Sequence, residues 1–234
     1  DGEFARATAE IQRFEQMLCD EGVLLLKYWF HLSKPQQRKR LKALEKDPKT
    51  RWRVSELDWS YFKRYDGFVE VCDPFLRQTS TGTAPWIVVP GADPNYRALT
   101  VGRHLLAAMR ERLDTKGQAG RAEHAPPLPA PGDRLNALTA LELDQPLSRP
   151  KYEREVEKWQ GRLNLASRDP GFKRLSVVAV FEGNDAAGKG GAIRRVTAAL
   201  DARQYDIVPV AAPSEDERAQ PYLWRFWRHV PPQG

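Results

Sequence analysis

The chain has 234 residues, of which 41% are hydrophobic and 29% are charged, and this composition is typical of a globular protein. No apolar run approaches the roughly 20 residues that a membrane-spanning helix needs, so we expect no membrane span. Thirty-seven Lys and Arg residues against 31 Asp and Glu residues give a net charge of +6, which favours a polyanionic partner such as a nucleotide, polyphosphate or nucleic acid.

The first part of the chain alternates helices with apolar strands. The spacing of the apolar residues predicts a helix over 4–20, and the run VLLLKYWF predicts a buried strand over 23–30. Ser33 and Gln36 form a capping box, which predicts a helix that extends to about Lys46.

Three further elements are predicted before residue 114. Ser55 with Asp58 three residues later marks the start of one long helix predicted over 55–75. The run WIVV predicts a second buried strand over 86–89, and an amphipathic pattern predicts a helix over 96–113. Strands that alternate with helices in this way indicate an α/β fold with a parallel sheet.

The composition changes after residue 114. Residues 115–135 are rich in Pro and Gly and poor in large apolar side chains, which indicates an extended linker. Residues 135–143 are compatible with a short helix or with an edge element. A helix is predicted over 151–168.

The two cysteines, Cys19 and Cys72, are isolated from each other. They are too sparse for a disulfide framework, so we expect a reducing, cytoplasmic location. None of the four histidines has a partner at a spacing typical of metal ligands. The sequence begins with Asp1 instead of Met, and we expect it to be an internal piece of a longer protein.

The most informative stretch is an apolar run over 177–181 that leads into a glycine-rich loop. From Gly183 the spacing is four residues and then Gly188 and Lys189, which matches a phosphate-binding loop up to its last position. The backbone N–H groups of such a loop can surround an anion, and the helix that follows adds a positive dipole. Lys189 can reach the phosphate oxygens.

One position departs from the common loop pattern. Gly190 stands where most phosphate loops have Ser or Thr. Without that hydroxyl group, Mg²⁺ needs another oxygen ligand, and Asp185 inside the loop is the nearest candidate.

Three elements are predicted after the loop. A helix is expected over 189–200 and a strand over 206–210. Ser214 and Glu217 form another capping box, which opens a helix whose body mixes aromatic residues with arginines over 221–229.

These residues closely resemble the polyphosphate kinase 2 family. The stretches that carry the resemblance are GNDAAGKGG at 183–191, AAP at 211–213 and ERAQPYLWRFWRH at 217–229. The first half resembles the carboxyl half of such a kinase module through LLLKYWFHLSK at 24–34, RW at 51–52 and APWIVVP at 84–90.

The resemblance implies a P-loop kinase-like, three-layer α/β/α fold with a parallel sheet, built from incomplete modules. Residues 1–114 would be the carboxyl half of a first module, and residues 136–234 the amino half of a second module with its phosphate loop and lid. Such an order would suit an internal slice of a tandem two-module member, a type associated with polyphosphate:AMP phosphotransfer. We expect the two half-modules to pack separately instead of sharing one permuted sheet.

The resemblance also implies roles for individual residues. Lys189 and Asp185 would be catalytic, and Asp185 would hold Mg²⁺. Polyphosphate would be contacted by the lid arginines Arg218, Arg225 and Arg228. The phosphate-binding residues would be Gly183, Asn184, Ala186, Ala187, Gly188, Lys189, Gly190 and Gly191.

The implied function is phosphoryl transfer between polyphosphate and a nucleoside mono- or diphosphate, with AMP as the favoured acceptor. The alternatives are an ATP-dependent nucleotide kinase and a non-catalytic phosphate-binding scaffold. We expect no nucleic acid partner. The sequence leaves open whether the protein forms a homo-oligomer. Because the family's second acidic motif, an Asp-Arg pair, would fall just beyond Gly234, we expect the chain to bind phosphate but to catalyse poorly.

Overall fold

The computed structural model describes residues 2–114, 138 and 141–232. The predicted linker over 115–135 and most of the undecided stretch over 135–143 lie outside the described residues. The helices in the described ranges are α1 (Gly2–Asp20), α2 (Lys34–Lys46), α3 (Glu56–Lys63), α4 (Tyr65–Thr79), α5 (Pro94–Asp114), α6 (Arg149–Ser167), α7 (Lys189–Thr197), α8 (Glu215–Arg218) and α9 (Trp224–Trp227).

The described strands form one parallel sheet. They are β1 (Leu24–His31), β2 (Trp86–Pro90) and β3 (Val177–Gly183), in the spatial order β2-β1-β3. The register pairs Lys27 with Trp86 on one side of β1 and Leu24 with Val177 on the other. The predicted α/β fold with a parallel sheet is therefore confirmed.

The two parts of the chain share this sheet. β1 precedes the predicted linker and β3 follows it, yet their residues pair along seven positions from Leu24 with Val177 to Phe30 with Gly183. Our expectation that the two half-modules pack separately is wrong. β1 is buried along almost its whole length, and a strand of this kind needs a neighbour on both edges and cover on both faces.

Helices cover both faces of the sheet. On one face, Tyr28 and Phe30 pack in a cluster with buried side chains of α5, α6 and α7, including Leu105 and Leu163. On the other face, Trp29 packs with Trp86 and with buried side chains of α4. These three layers match the predicted α/β/α arrangement.

A buried ion pair connects α1 to the sheet. Lys27 is 1% exposed, and its Nζ donates to Glu15 Oε2 at 2.7 Å and to the Thr79 carbonyl at 2.6 Å. The same Nζ lies 5.1 Å from the centroid of the Trp86 ring. Removing either charged partner would leave the other charge buried and unpaired, so this contact fixes the position of α1.

Most predicted elements are confirmed, but three differ, and one of these is the helix predicted over 221–229, which is reduced to the single turn α9. The helix predicted over 55–75 is divided into α3 and α4, which share Arg64 as a cap. The strand predicted over 206–210 is wrong, because these residues are exposed and have no ladder partner among the described strands. An apolar segment becomes a strand only where another strand supplies hydrogen bonds, and Pro209 also lacks a donor.

Two further observations concern the cysteines and the length of the helices. Both cysteines are free thiols. No helix in the described part of the chain is long and apolar enough to cross a membrane.

The packing of α5 against α6 can be tested at two glycines. A Cβ on Gly102 of α5 would lie 2.5 Å from Trp159 Cε2, whereas a Cβ on Gly161 of α6 would meet nothing within 4 Å. We expect Gly102→Ala to lower the free energy of unfolding by about 1–3 kcal/mol through overpacking. Gly161→Ala should raise it by about 0.5–1 kcal/mol through helix propensity. Urea unfolding measures both, and equal effects of the two substitutions would contradict this packing.

Candidate phosphate-binding site

The glycine-rich loop leaves the carboxyl end of β3 and enters α7 with an unusual backbone. Gly183 has a φ of +123° and Gly188 has a φ of +96°, in the region that favours glycine. A Cβ on Gly183 would lie 2.0 Å from the Phe30 carbonyl oxygen, and a Cβ on Gly188 would lie 2.1 Å from Arg97 Cζ. Both positions therefore require glycine, for their backbone angles and for the space around them.

Lys189 is the first residue of α7, and its side chain turns back over the loop. Its Nζ donates to the Gly183 carbonyl at 2.6 Å and to the Asn184 carbonyl at 3.3 Å. Burial lowers the pKa of Lys189, while the charges of Asp185 and Glu182 oppose this shift. An ammonium group that is held mainly by carbonyl oxygens can exchange them for phosphate oxygens, which carry more negative charge.

The first part of the chain holds the loop in place. The Asn184 amide donates to the Phe30 carbonyl at 2.9 Å, and Asn184 Oδ1 accepts from the Leu32 amide at 3.2 Å. Gln37 Nε2 on α2 donates to the Asp185 carbonyl at 3.4 Å. Asn184 is 3% exposed, and its side chain anchors the loop to the segment that follows β1.

Residues that the sequence analysis did not assign to this site lie beside the loop. Arg97 of α5 is buried, and its Nη1 donates to the Gly91 carbonyl at 2.7 Å. Arg40 of α2 contacts the same carbonyl at 3.4 Å, and Arg195 of α7 donates to the Gly191 carbonyl at 2.8 Å. A sequence signal existed for Arg97, because it stands four residues before Val101 on the inward face of a predicted helix.

His31 lies at the carboxyl end of β1, next to the segment that anchors the loop. It is 1% exposed, and its Nε2 lies 3.4 Å from the Tyr65 hydroxyl, which donates to the Leu32 carbonyl at 2.8 Å. Burial lowers the pKa of His31 to about 4. The imidazole is therefore neutral at pH 7.

The loop offers few protein ligands for a metal ion. No group of three or more His, Cys, Asp or Glu residues that could hold a metal ion occurs in ranges 2–114 and 141–232. Mg²⁺, however, commonly takes only one or two carboxylates from a protein and completes its shell with phosphate oxygens and water. The half-buried Asp185 in the loop fits that mode of binding.

The segment predicted to form the lid lies away from the loop. Trp227 stacks on Phe14 of α1 with ring centroids 5.5 Å apart. Ser176, which precedes β3, donates from its hydroxyl to the Pro232 carbonyl at 2.8 Å. This contact is at the amino end of β3, whereas the loop follows the carboxyl end.

The arginines of that segment make local contacts. Arg225 Nη2 donates to the Ala211 carbonyl at 2.7 Å and lies 3.4 Å from Glu217 Oε2. Arg228 lies 5.0 Å from the centroid of the Trp224 ring, and Arg218 ends α8. The helix predicted over 221–229 is reduced to the single turn α9. The structure thus does not bring these arginines together with Lys189, and their contact with polyphosphate stays a prediction.

The comparisons with known proteins agree on one family. The sequence model of polyphosphate kinase 2 matches residues 1–117 and 146–234. A polyphosphate:AMP phosphotransferase of Pseudomonas aeruginosa is 59% identical over 220 residues, which cover 94% of this chain and 44% of the relative. One of Pseudomonas syringae pv. tomato is 52% identical over 234 residues, which cover 100% of this chain and 47% of the relative.

The chain spans about half the length of the curated relatives it matches. A crystal structure described as a polyphosphate kinase 2 from Pseudomonas aeruginosa PA01 is 48% identical, with a TM-score of 0.42. The alignment covers 100% of this chain and 43% of that one.

The buried His31 predicts how stability depends on pH. Its pKa is about 4 in the folded protein, against 6.5 as the ordinary value. As the pH falls, the unfolded chain therefore binds a proton at this histidine before the folded chain does. The contribution of neutral His31 to the free energy of unfolding is complete above about pH 6.5 and is lost as the pH falls towards 4. Between pH 6.5 and pH 4, we expect the free energy of unfolding of His31→Gln to fall by about 3 kcal/mol less than that of the parent protein.

Urea unfolding at a series of pH values measures this effect. His229 is exposed, so His229→Gln serves as the control and should leave the slope unchanged. If the free energy of unfolding of His31→Gln depends on pH as steeply as that of the parent, His31 is not held neutral in the folded protein.

Proposed function

Because this chain belongs to the polyphosphate kinase 2 family, we propose that its phosphate loop binds polyphosphate and a nucleoside phosphate and takes part in phosphoryl transfer between them. The observation that carries the proposal is the backbone of the loop. Gly183 and Gly188 have positive φ angles and Lys189 opens α7, at the carboxyl edge of a parallel sheet where ligands of α/β proteins bind.

The loop supplies the binding part of the reaction. The amides of Asn184 and Ala187 bond to backbone carbonyls, so the amides of Asp185, Ala186, Gly188 and Lys189 can surround the oxygens of one phosphate group, and the start of α7 adds a positive dipole. Lys189 neutralises further negative charge on the group in transfer. Phosphoryl transfer depends mainly on such positioning and neutralisation, so these residues would orient the phosphate group in transfer.

We propose AMP as the acceptor and Mg²⁺ as the metal. The names of the two Pseudomonas relatives support AMP. Asp185 would hold Mg²⁺, with phosphate oxygens and water as the other ligands. When bound, the ion would neutralise charge on the phosphate oxygens.

The assignment of Arg218, Arg225 and Arg228 to a lid is also part of the proposal. Support comes from the exposed positions of Arg218 and Arg228, whereas Arg225 is half-buried against Glu217. The cytoplasmic location remains a proposal that rests on the free state of Cys19 and Cys72.

Binding of tripolyphosphate tests the role of the loop. We expect Lys189→Met to weaken binding at least about tenfold, because a charged hydrogen bond to phosphate is lost. Isothermal titration calorimetry measures the affinity. Lys173 is exposed and precedes the other end of β3, so Lys173→Met is the matched control, expected to bind within twofold of the parent. Undiminished binding by Lys189→Met would refute the role of the loop.

A donor experiment separates the proposal from an ATP-dependent nucleotide kinase. The protein is incubated with AMP and Mg²⁺, with either polyphosphate or ATP as the only donor, and ADP is measured. We expect ADP with polyphosphate as the only donor. ADP formed from ATP alone would favour the ATP-dependent kinase, and tripolyphosphate binding without turnover on either donor would favour the scaffold.

A further inference from the structure

Three arginines from three helices converge where α7 begins. Arg97 and Arg40 both donate to the Gly91 carbonyl, at 2.7 and 3.4 Å. A Cβ placed on Gly191 would lie 3.5 Å from Arg97 Nη2 and also 3.5 Å from Arg195 Nη1. We call Arg40, Arg97 and Arg195 the arginine cluster.

The charge of the arginine cluster is poorly compensated. None of its members forms an ion pair within the part of the chain that the structure describes. Asp93 attracts Arg97, but Asp93 Oδ1 accepts from the amides of Asn95 and Tyr96 at 2.8 and 2.7 Å. That carboxylate therefore caps α5 and compensates only part of the positive charge.

Arg97 makes this imbalance costly. It is 4% exposed, and its Nε has no hydrogen-bond partner among the described residues. Burial, followed by repulsion from Arg40 and Arg195, lowers the pKa of Arg97 to about 10. A buried cation whose charge is only partly compensated is expensive, so a nearby anion would stabilise the arrangement.

The two other members can reach an anion. Arg40 and Arg195 are only half-buried. Arg195 uses Nε on the Tyr152 hydroxyl at 2.5 Å and Nη1 on the Gly191 carbonyl at 2.8 Å. These two bonds fix its guanidinium and leave Nη2 as a donor, since a guanidinium carries five N–H groups.

We propose that Arg40 and Arg195 bind a second phosphate group of a linear polyphosphate, next to the group held by the loop. Arg97 lies beneath them as a positioning residue, because it holds the Gly91 carbonyl and covers Gly188. The ligand class is an unbranched chain of at least three phosphates. This inference rests on the proposed function, which supplies polyphosphate as the ligand of the loop.

Titration of the whole chain with tripolyphosphate tests the arginine cluster. We expect Arg40→Gln and Arg195→Gln each to weaken binding about tenfold, the loss of one charged hydrogen bond to phosphate. The matched controls are Arg38→Gln on α2 and Arg194→Gln on α7, which remove exposed charges from the same helices. Each control should stay within twofold of the parent.

Variants that keep the charge separate binding from folding. Arg40→Lys and Arg195→Lys should recover most of the lost affinity, with thermal unfolding midpoints near that of the parent. Arg97→Met should reduce the salt dependence of tripolyphosphate binding, a change that a purely structural role would not produce, and Arg97→Lys should restore it.

Different binding results would refute this inference and the proposed function. If Lys189→Met loses tripolyphosphate affinity while Arg40→Gln and Arg195→Gln bind like the parent, the arginine cluster is refuted and the loop keeps its role. Equal losses in the Gln variants and in the exposed controls would also refute the cluster, because they would indicate a general charge effect. A parent chain that binds no tripolyphosphate would overturn both proposals.

Discussion

The close approach of the phosphate loop to β1 is the constraint on which the rest of the site depends. The Gly183 backbone lies so near the Phe30 carbonyl that a Cβ there would be 2.0 Å from its oxygen, and the next amide, of Asn184, donates to that oxygen at 2.9 Å. This contact joins a loop from the second part of the chain to a strand from the first. The pairing of β3 with β1 therefore holds the loop in its shape.

The electrostatics of the site follow from the same assembly. The second part of the chain contributes Lys189 and Arg195, while the first part contributes Arg40 and Arg97 through α2 and α5. Positive charge accumulates around the start of α7, and Asp93, Asp185 and Glu182 compensate it only in part. A site of this kind favours a ligand that brings several negative charges at once, and polyphosphate has that chemistry.

The sequence predicted the elements whose causes are local. β1 is a continuous apolar run, and α2 starts at the capping box of Ser33 and Gln36. The loop was also predictable, because its glycines stand at fixed spacings. Contacts between residues distant in sequence could not be predicted in this way. Residues 206–210 have the composition of a strand, but a strand forms only where another strand pairs with it. The position of Arg97 beside the loop was not predicted for the same reason, because Arg97 and Gly188 are 91 positions apart in the chain.

The pairing of β1 with β3 is tested most directly by nuclear Overhauser effects in the isotopically labelled 234-residue chain. A parallel pair in the present register predicts inter-strand backbone contacts that run from Leu24 with Val177 to Phe30 with Gly183. Observation of this series would establish that both parts of the chain build one phosphate site. A β1 with contacts to β2 but none to β3 would contradict the account.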